Sequence, residues 1–207
     1  MDSLPPDPYA ITTPEALATH YGEPSQLVLN KVSAVVDPTS AAFIAASPFC
    51  ILSTVGPRGV HGTPRGDGPG LVTVLDERTL ALPDRRGNNR IDALRDVIDD
   101  PRVALLFLVP GNGETLRVGG LARLTADPAL RARLAMDGRE PATVMLISVR
   151  EVFMQCRRAV SRAKLWAGRE APAGLPTAGQ MIEAHTGGLV DAATVDARMP
   201  ELDANLY

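Results

Sequence analysis

Arg85-Arg86-Gly87-Asn88-Asn89-Arg90 gathers three arginines and two asparagines around one glycine. The apolar residues before it, ending in Leu82-Pro83-Asp84, read as a strand end. Those after it, Ile91, Leu94, Val97 and Ile98, recur at helical spacing. The segment is thus a strand-to-helix turn, and Asn88 or Asn89 is the expected N-cap. Backbone N–H groups, the positive end of the helix dipole and guanidinium forks all favour an anion there, a phosphate above all. An isolated basic turn can equally be a solvated one, so the rest of the chain has to decide. Arg65-Gly66-Asp67, between a strand and a Gly/Pro/Asp loop, is a second place where a cation is poised beside flexible backbone.

The elements that must position these residues alternate between short strands and tight turns. Helices are expected to open at Thr13-Pro14, at Pro24-Ser25 and at Asp37-Pro38, the third reaching Ala46. From Phe49 the pattern changes. Phe49 to Val55 and Val60 to Thr63 read as a hairpin about Gly56-Pro57-Arg58-Gly59, and Gly70 to Leu75 with Thr79 to Leu82 as another. Val103 to Val109 is an unbroken apolar run suited to a buried strand. Leu116 to Thr125 is a further strand with a kink expected at Gly119-Gly120. A short helix around Pro128 to Met136 follows, then strands at Thr143 to Val149 and Val152 to Met154. The expected fold class is mainly β: a six-stranded antiparallel barrel with peripheral helices. Gly66-Asp67-Gly68-Pro69-Gly70 is followed by no helix, which removes the doubly wound dinucleotide-binding alternative.

The 207 residues, 45% of them hydrophobic, suffice for one sizeable core with extensions. The net charge of −3 is unevenly spread. Residues 1–50 and 171–207 each carry five acids and one base, leaving the middle basic, and Arg150 to Arg169 holds six bases against Glu151 alone. That patch could meet nucleic acid and is equally suited to closing over a small anionic ligand. Aromatics at 4% are too sparse for base-stacking platforms, so no nucleic-acid partner is expected. No apolar stretch is long enough to cross a bilayer and no signal peptide is visible, so a cytoplasmic protein without a membrane partner is expected. Cys50 and Cys156 are read as buried free thiols, not a disulfide or a metal site.

The ordered set Ser53-Thr54, Pro64-Arg65-Gly66-Asp67, Leu82 to Arg90, Pro101 to Phe107, Thr115-Leu116-Arg117-Val118 and Lys164-Leu165-Trp166 resembles the pyridoxamine phosphate oxidase-like family of FMN-binding split barrels. It is most similar to its bacterial flavin-nucleotide-binding branch. The resemblance spans residues 38–168, which implies an N-terminal helical extension over 1–37 and a C-terminal helical tail over 169–207, with helices at Gln180 to His185 and Asp191 to Leu206. It further implies a homodimer with FMN in clefts at the subunit interface. Arg65, Gly66 and Asp67 would lie beside the flavin or its phosphate, and Leu82, Pro83, Asp84 and Arg85 would follow the ring edge. Gly87, Asn88, Asn89 and Arg90 would hold phosphate, while Lys164 and Trp166 would reach the cofactor, expectedly from the other subunit.

Bland readings stand beside these. Arg86 and Arg95 would face water or pair with Asp92, Asp96 or Asp99. Asp84 would pair with Arg85 or cap the turn, a lone tryptophan is as readily a core or interface anchor, and His61 is given a structural or interface role. The chain lacks the Arg-Leu-x-Pro ending of the authentic oxidases, so pyridoxamine phosphate is not the expected substrate. No nucleophile–base pair of familiar spacing is visible, so catalytic residues are not assigned and the chemistry belongs to the cofactor. The resulting expectation is an FMN-dependent oxidoreductase acting on a small molecule, with a non-catalytic FMN carrier or sensor, or a barrel using deazaflavin or haem, as alternatives.

Overall fold

Proline at the first helical position and a side-chain cap before it set the helix starts at Pro14, Pro38 and Pro128. The computed structural model describes residues 5–168 and 170–204. The chain divides into two units, Met1–Val32 and Ser33–Tyr207. In the first, α1 (Pro14–Ala18) is capped by Thr13, whose hydroxyl accepts from Ala16 N at 3.2 Å, and α2 (Gln26–Asn30) follows Ser25. Neither helix buries a residue. A two-residue strand, β1 (Val32–Ser33), stands at the junction.

In the second unit α3 (Pro38–Ala46) starts at Asp37, whose carboxylate accepts from Thr39 N at 2.8 Å and Ser40 N at 3.1 Å. Next come β2 (Phe49–Gly56), β3 (Gly59–Gly66), β4 (Thr73–Asp76), β5 (Thr79–Pro83), α4 (Asp92–Asp99), β6 (Arg102–Leu108) and β7 (Thr115–Thr125). They are followed by α5 (Pro128–Arg133), β8 (Val144–Gln155), α6 (Arg158–Ala163), α7 (Ala178–His185), α8 (Ala192–Asp196) and α9 (Met199–Ala204). The fold is mainly β, a split barrel with peripheral helices, and its antiparallel sheet runs β3-β2-β6-β7-β8-β5-β4.

Alternation along the strands builds the core. Leu52 and Cys50 from β2, Leu105 and Phe107 from β6, Val118 from β7, Leu80 from β5 and Ile147 from β8 are buried together. Helix α4 packs on β2 and β7 with Ala93, Leu94 and Val97 facing inward.

The described residues form eight strands where the sequence predicted six. Strand β8 is continuous across Arg150-Glu151, which the sequence read as a break. The reason lies on its partner. Register shifts between Gly119 and Gly120, so that Gly119 faces Glu151 and Gly120 faces Val149, and the bulge absorbs the interruption. A Cβ on Gly120 would meet Ser148 O at 2.4 Å, so the expected kink requires glycine.

The cylinder closes with a large stagger. The row through Arg65, Cys50, Phe107 and Leu116 reaches β8 at Met154, while Pro83 pairs with Val144 at the opposite end of β8. Such a shear brings the end of β3 to the end of β5. In the tail, Thr177 forms a capping box with Gln180, and the described residues form three helices where two were expected. Leu206 and Arg169 lie outside the described residues.

Candidate functional site

The stagger sets Arg65, near the end of β3, against Asp84, which leaves β5 with its N–H bonded to Thr143 O at 2.9 Å. Arg65 Nη1 donates to Asp84 Oδ1 at 3.1 Å, and both side chains are about four-fifths shielded from solvent. Of the readings open for Asp84, contact with the flavin ring edge, pairing with Arg85 or capping the turn, the pairing with Arg85 is not formed. Arg85 instead turns the other way, its Nε donating to Asp67 Oδ2 at 2.7 Å and its Nη1 to Leu134 O at 2.9 Å. The Asp67 carboxylate is wholly buried. A buried carboxylate persists only when paired and hydrogen-bonded, so Arg85 and Asp67 form a structural bolt between the loop after β3, the turn after β5 and the end of α5.

Beyond that bolt the chain opens into a cavity of about 820 Å³. Its walls are Thr63, Pro64 and Arg65 of β3, the turn Asp84 to Asp92, and the segment Met136 to Ala142. Five arginines, Arg65, Arg85, Arg86, Arg90 and Arg139, face three carboxylates, Asp84, Asp92 and Glu140. Arg65 Nε is buried without a hydrogen-bond partner. An orphaned guanidinium donor at the wall of a net positive cleft is suited to an acceptor-rich anion.

The turn itself departs from the expected cap. Asn88 Oδ1 accepts from Arg90 N at 3.0 Å, so the asparagine closes the turn on itself and leaves the helix uncapped by a side chain. Asn89 and Ile91 both take left-handed backbone conformations, with φ of 58° and 50°, and the helix begins only at Asp92. Asparagine tolerates that region, whereas a β-branched isoleucine is rarely found there. Arg90 Nε donates to Asp92 Oδ2, and this bond holds the Asp92 carboxyl below, and the Arg90 guanidinium above, its ordinary value.

Of the predicted residues, Arg65, Asp84, Arg85, Gly87, Asn88, Asn89 and Arg90 share this one cavity. Leu82 and Pro83 are buried beside it in β5, and Gly66 and Asp67 sit just beyond Arg65. Lys164 and Trp166 lie outside its lining within one chain. Trp166, partly exposed, donates from Nε1 to Asn112 O at 2.6 Å, and Lys164 ends α6 in a left-handed conformation. Sequence reasoning missed Arg139, which faces the turn from an Asp137-Gly138 hairpin bend closed by the Met136–Arg139 backbone pair. An Asp-Gly pair is a turn signal, but nothing local links it to a site so far back in the chain. Arg86, read as solvent-facing or paired, also lines the cavity.

A smaller cavity of about 240 Å³ lies on the other side of α4's first turn, lined by Arg58, His61, Asp92, Arg95, Asp96 and Asp99 with Pro57. Asp96 is buried and accepts from Thr54 Oγ1 at 2.6 Å, with His61 Nδ1 at 2.7 Å from the same oxygen. A side chain on Gly56 would strike both Asp96 and His61, at 2.5 and 2.6 Å. The cluster is a tight polar joint between α4 and the β2–β3 hairpin.

Residues 36–156 match the family model described as pyridoxamine 5'-phosphate oxidase. The chain belongs to that family. Among solved structures, HupZ from Group A Streptococcus is 18% identical, covering 58% of this chain and 99% of its own, with a TM-score of 0.47. General stress protein 26 from Bacillus anthracis is 19% identical over 55% and 88%, with a TM-score of 0.40. An FAD-binding protein from Mesorhizobium loti is 17% identical over 59% and 96%, also at 0.40. No curated protein matches the chain. The family match runs from just before α3 to the end of β8, so it contains every wall of the larger cavity. No helix among the described residues is long and apolar enough to cross a membrane.

Proposed function

We propose that the larger cavity binds FMN and that the protein is an FMN-dependent oxidoreductase acting on a small molecule. The observation that carries the reading is the set of donors at one end of the cavity: Arg65 with its orphaned Nε, Arg86, Arg90, Arg139, and the turn at Asn88-Asn89. A phosphate monoester offers the acceptor that Arg65 Nε lacks, within reach of several cationic side chains. The volume suits a mononucleotide. Bound FMN supplies the redox chemistry, passing electrons from a reduced nicotinamide or a small organic donor to an acceptor. The protein's own part is to hold the phosphate, align the ring edge along Leu82 to Arg85 and exclude water from one side.

The cavity opens to solvent, and a second copy of the chain would provide the missing wall. In that homodimer Lys164 and Trp166 of the neighbouring subunit approach the cofactor.

Titration of purified protein with FMN and with riboflavin tests the reading. Arg90→Ala is expected to weaken FMN roughly ten- to a hundredfold and to leave riboflavin unchanged. Equal weakening of both removes the phosphate assignment. Bleaching of the bound flavin by reduced nicotinamide separates an oxidoreductase from a carrier.

A further inference from the structure

Strand β7 begins beside the end of β8, with Thr115 opposite Gln155. The residues just outside that pair are neighbours, and the chain uses the closeness twice. Gly113 is buried under Arg157: a Cβ on the glycine would stand 2.8 Å from Arg157 Cβ and 3.1 Å from its Nε. Its backbone lies outside the left-handed region, so space alone requires glycine there.

The second contact closes after α6. Lys164 ends that helix in a left-handed conformation and turns the chain back, so that Trp166 Nε1 donates to Asn112 O at 2.6 Å. Asn112 is itself held, its N–H donating to Val109 O at 2.9 Å and its Oδ1 accepting from Glu114 N at 3.1 Å. The β6–β7 turn thus grips the segment Arg157 to Trp166 at both ends. An indole has one donor, and here the turn takes it. What Trp166, 37% exposed, leaves for another molecule is its ring.

We propose that the β6–β7 turn sets Trp166 ring-first as the wall that a second copy adds to the flavin cavity, with Asn112 and Gly113 as positioning residues of that site. The inference rests on the dimer reading above. Beyond that reading, it assigns the affinity of the site in part to a turn that lies outside the cavity lining of its own chain, and it fixes the contact as aromatic stacking or edge packing without a hydrogen bond.

FMN titration of the full chain, followed by flavin fluorescence, tests this, and the single tryptophan of the sequence gives a second signal. Gly113→Ala presses Arg157 away and is expected to weaken FMN roughly two- to tenfold, the range of one aromatic contact. Trp166 emission should shift to the red as the indole leaves Asn112. In an Arg157→Gly background, which lacks the clashing Cβ, the same alanine should cost nothing. Trp166→Phe keeps a ring without the N–H, so it should weaken FMN as much as Trp166→Ala, and it decides alone where Gly113→Ala does not fold. Parental affinity in Gly113→Ala or Trp166→Phe, with Trp166→Ala weakened, overturns the positioning, as does a cost of the alanine that persists with Arg157→Gly. Parental affinity in Trp166→Ala overturns instead the reading that a neighbouring Trp166 approaches the cofactor.

Discussion

Arg65 and Asp84, nineteen residues apart in sequence, meet at 3.1 Å where the staggered ends of β3 and β5 approach each other. The path of the sheet ends at β3 on one side and at β4 on the other, so this contact fastens the cylinder with side chains where a backbone ladder is lacking. A double-mutant cycle of Arg65→Ala and Asp84→Ala in urea should return a coupling of about 1 kcal/mol, between the values for exposed and for buried pairs. A coupling near zero would mean that the seam holds without the pair.

Arg85 should matter more to stability than to the ligand. Its removal takes away the guanidinium that donates to the buried Asp67 carboxylate and to Leu134 O. The expected loss is about 3–5 kcal/mol, readable as a lower urea midpoint. Arg85→Ala with Asp67→Asn should recover part of that loss, because a neutral amide is less costly to bury than a carboxylate deprived of Arg85.

The two thiols should react at very different rates. Burial pushes the Cys50 thiol up to about 12, against a smaller opposing pull from Arg65, while Cys156 is exposed. Since the thiolate is the nucleophile, a thiol reagent should label one cysteine in the folded protein and the second only after unfolding. Mass spectrometry of the labelled peptides should place the first on Cys156. Rapid labelling of Cys50 in the native state would contradict its burial.

Asp37 should give α3 an acid-sensitive start. The hydroxyls of Ser40 and Thr39 and the N–H of Ser40 hold its carboxyl below the usual carboxylate range, against a smaller effect of desolvation. A lowered folded value stabilises the native state fully above about pH 4 and is lost as the pH falls through that value. Asp37→Ala should therefore cost about 1 kcal/mol at neutral pH. The difference between the variants should shrink in strong acid, as followed by thermal melts across pH.

The strand-to-turn segment Leu82 to Arg90 and the kink at Gly119-Gly120 were legible because each is local: a short apolar run ends at a proline, and two glycines interrupt a strand. The helix start was not. Asn88 and Asn89 are good caps in isolation, but Asn88 spends its carbonyl on Arg90 N and the chain needs two left-handed residues before α4 can begin. Pairings across the fold were equally hidden. Asp84 has Arg85 beside it in sequence, yet the shear brings Arg65 to it, while Arg85 is claimed by Asp67. Cys156, expected inside from its apolar run, is exposed beyond the end of β8. Arg139 reaches the site through a hairpin bend that no spacing rule connects to it.

The Asp137-Gly138 bend has a practical side. The segment Met136 to Ala142 forms one wall of the larger cavity, yet it belongs to no strand of the barrel ladder and hangs between α5 and β8. Loops of this kind tolerate exchange and insertion far better than the strands beneath them. A library confined to these positions would reshape what the cleft admits while leaving the cylinder and its clasp intact, which makes this wall the natural starting point for directed evolution toward new ligands.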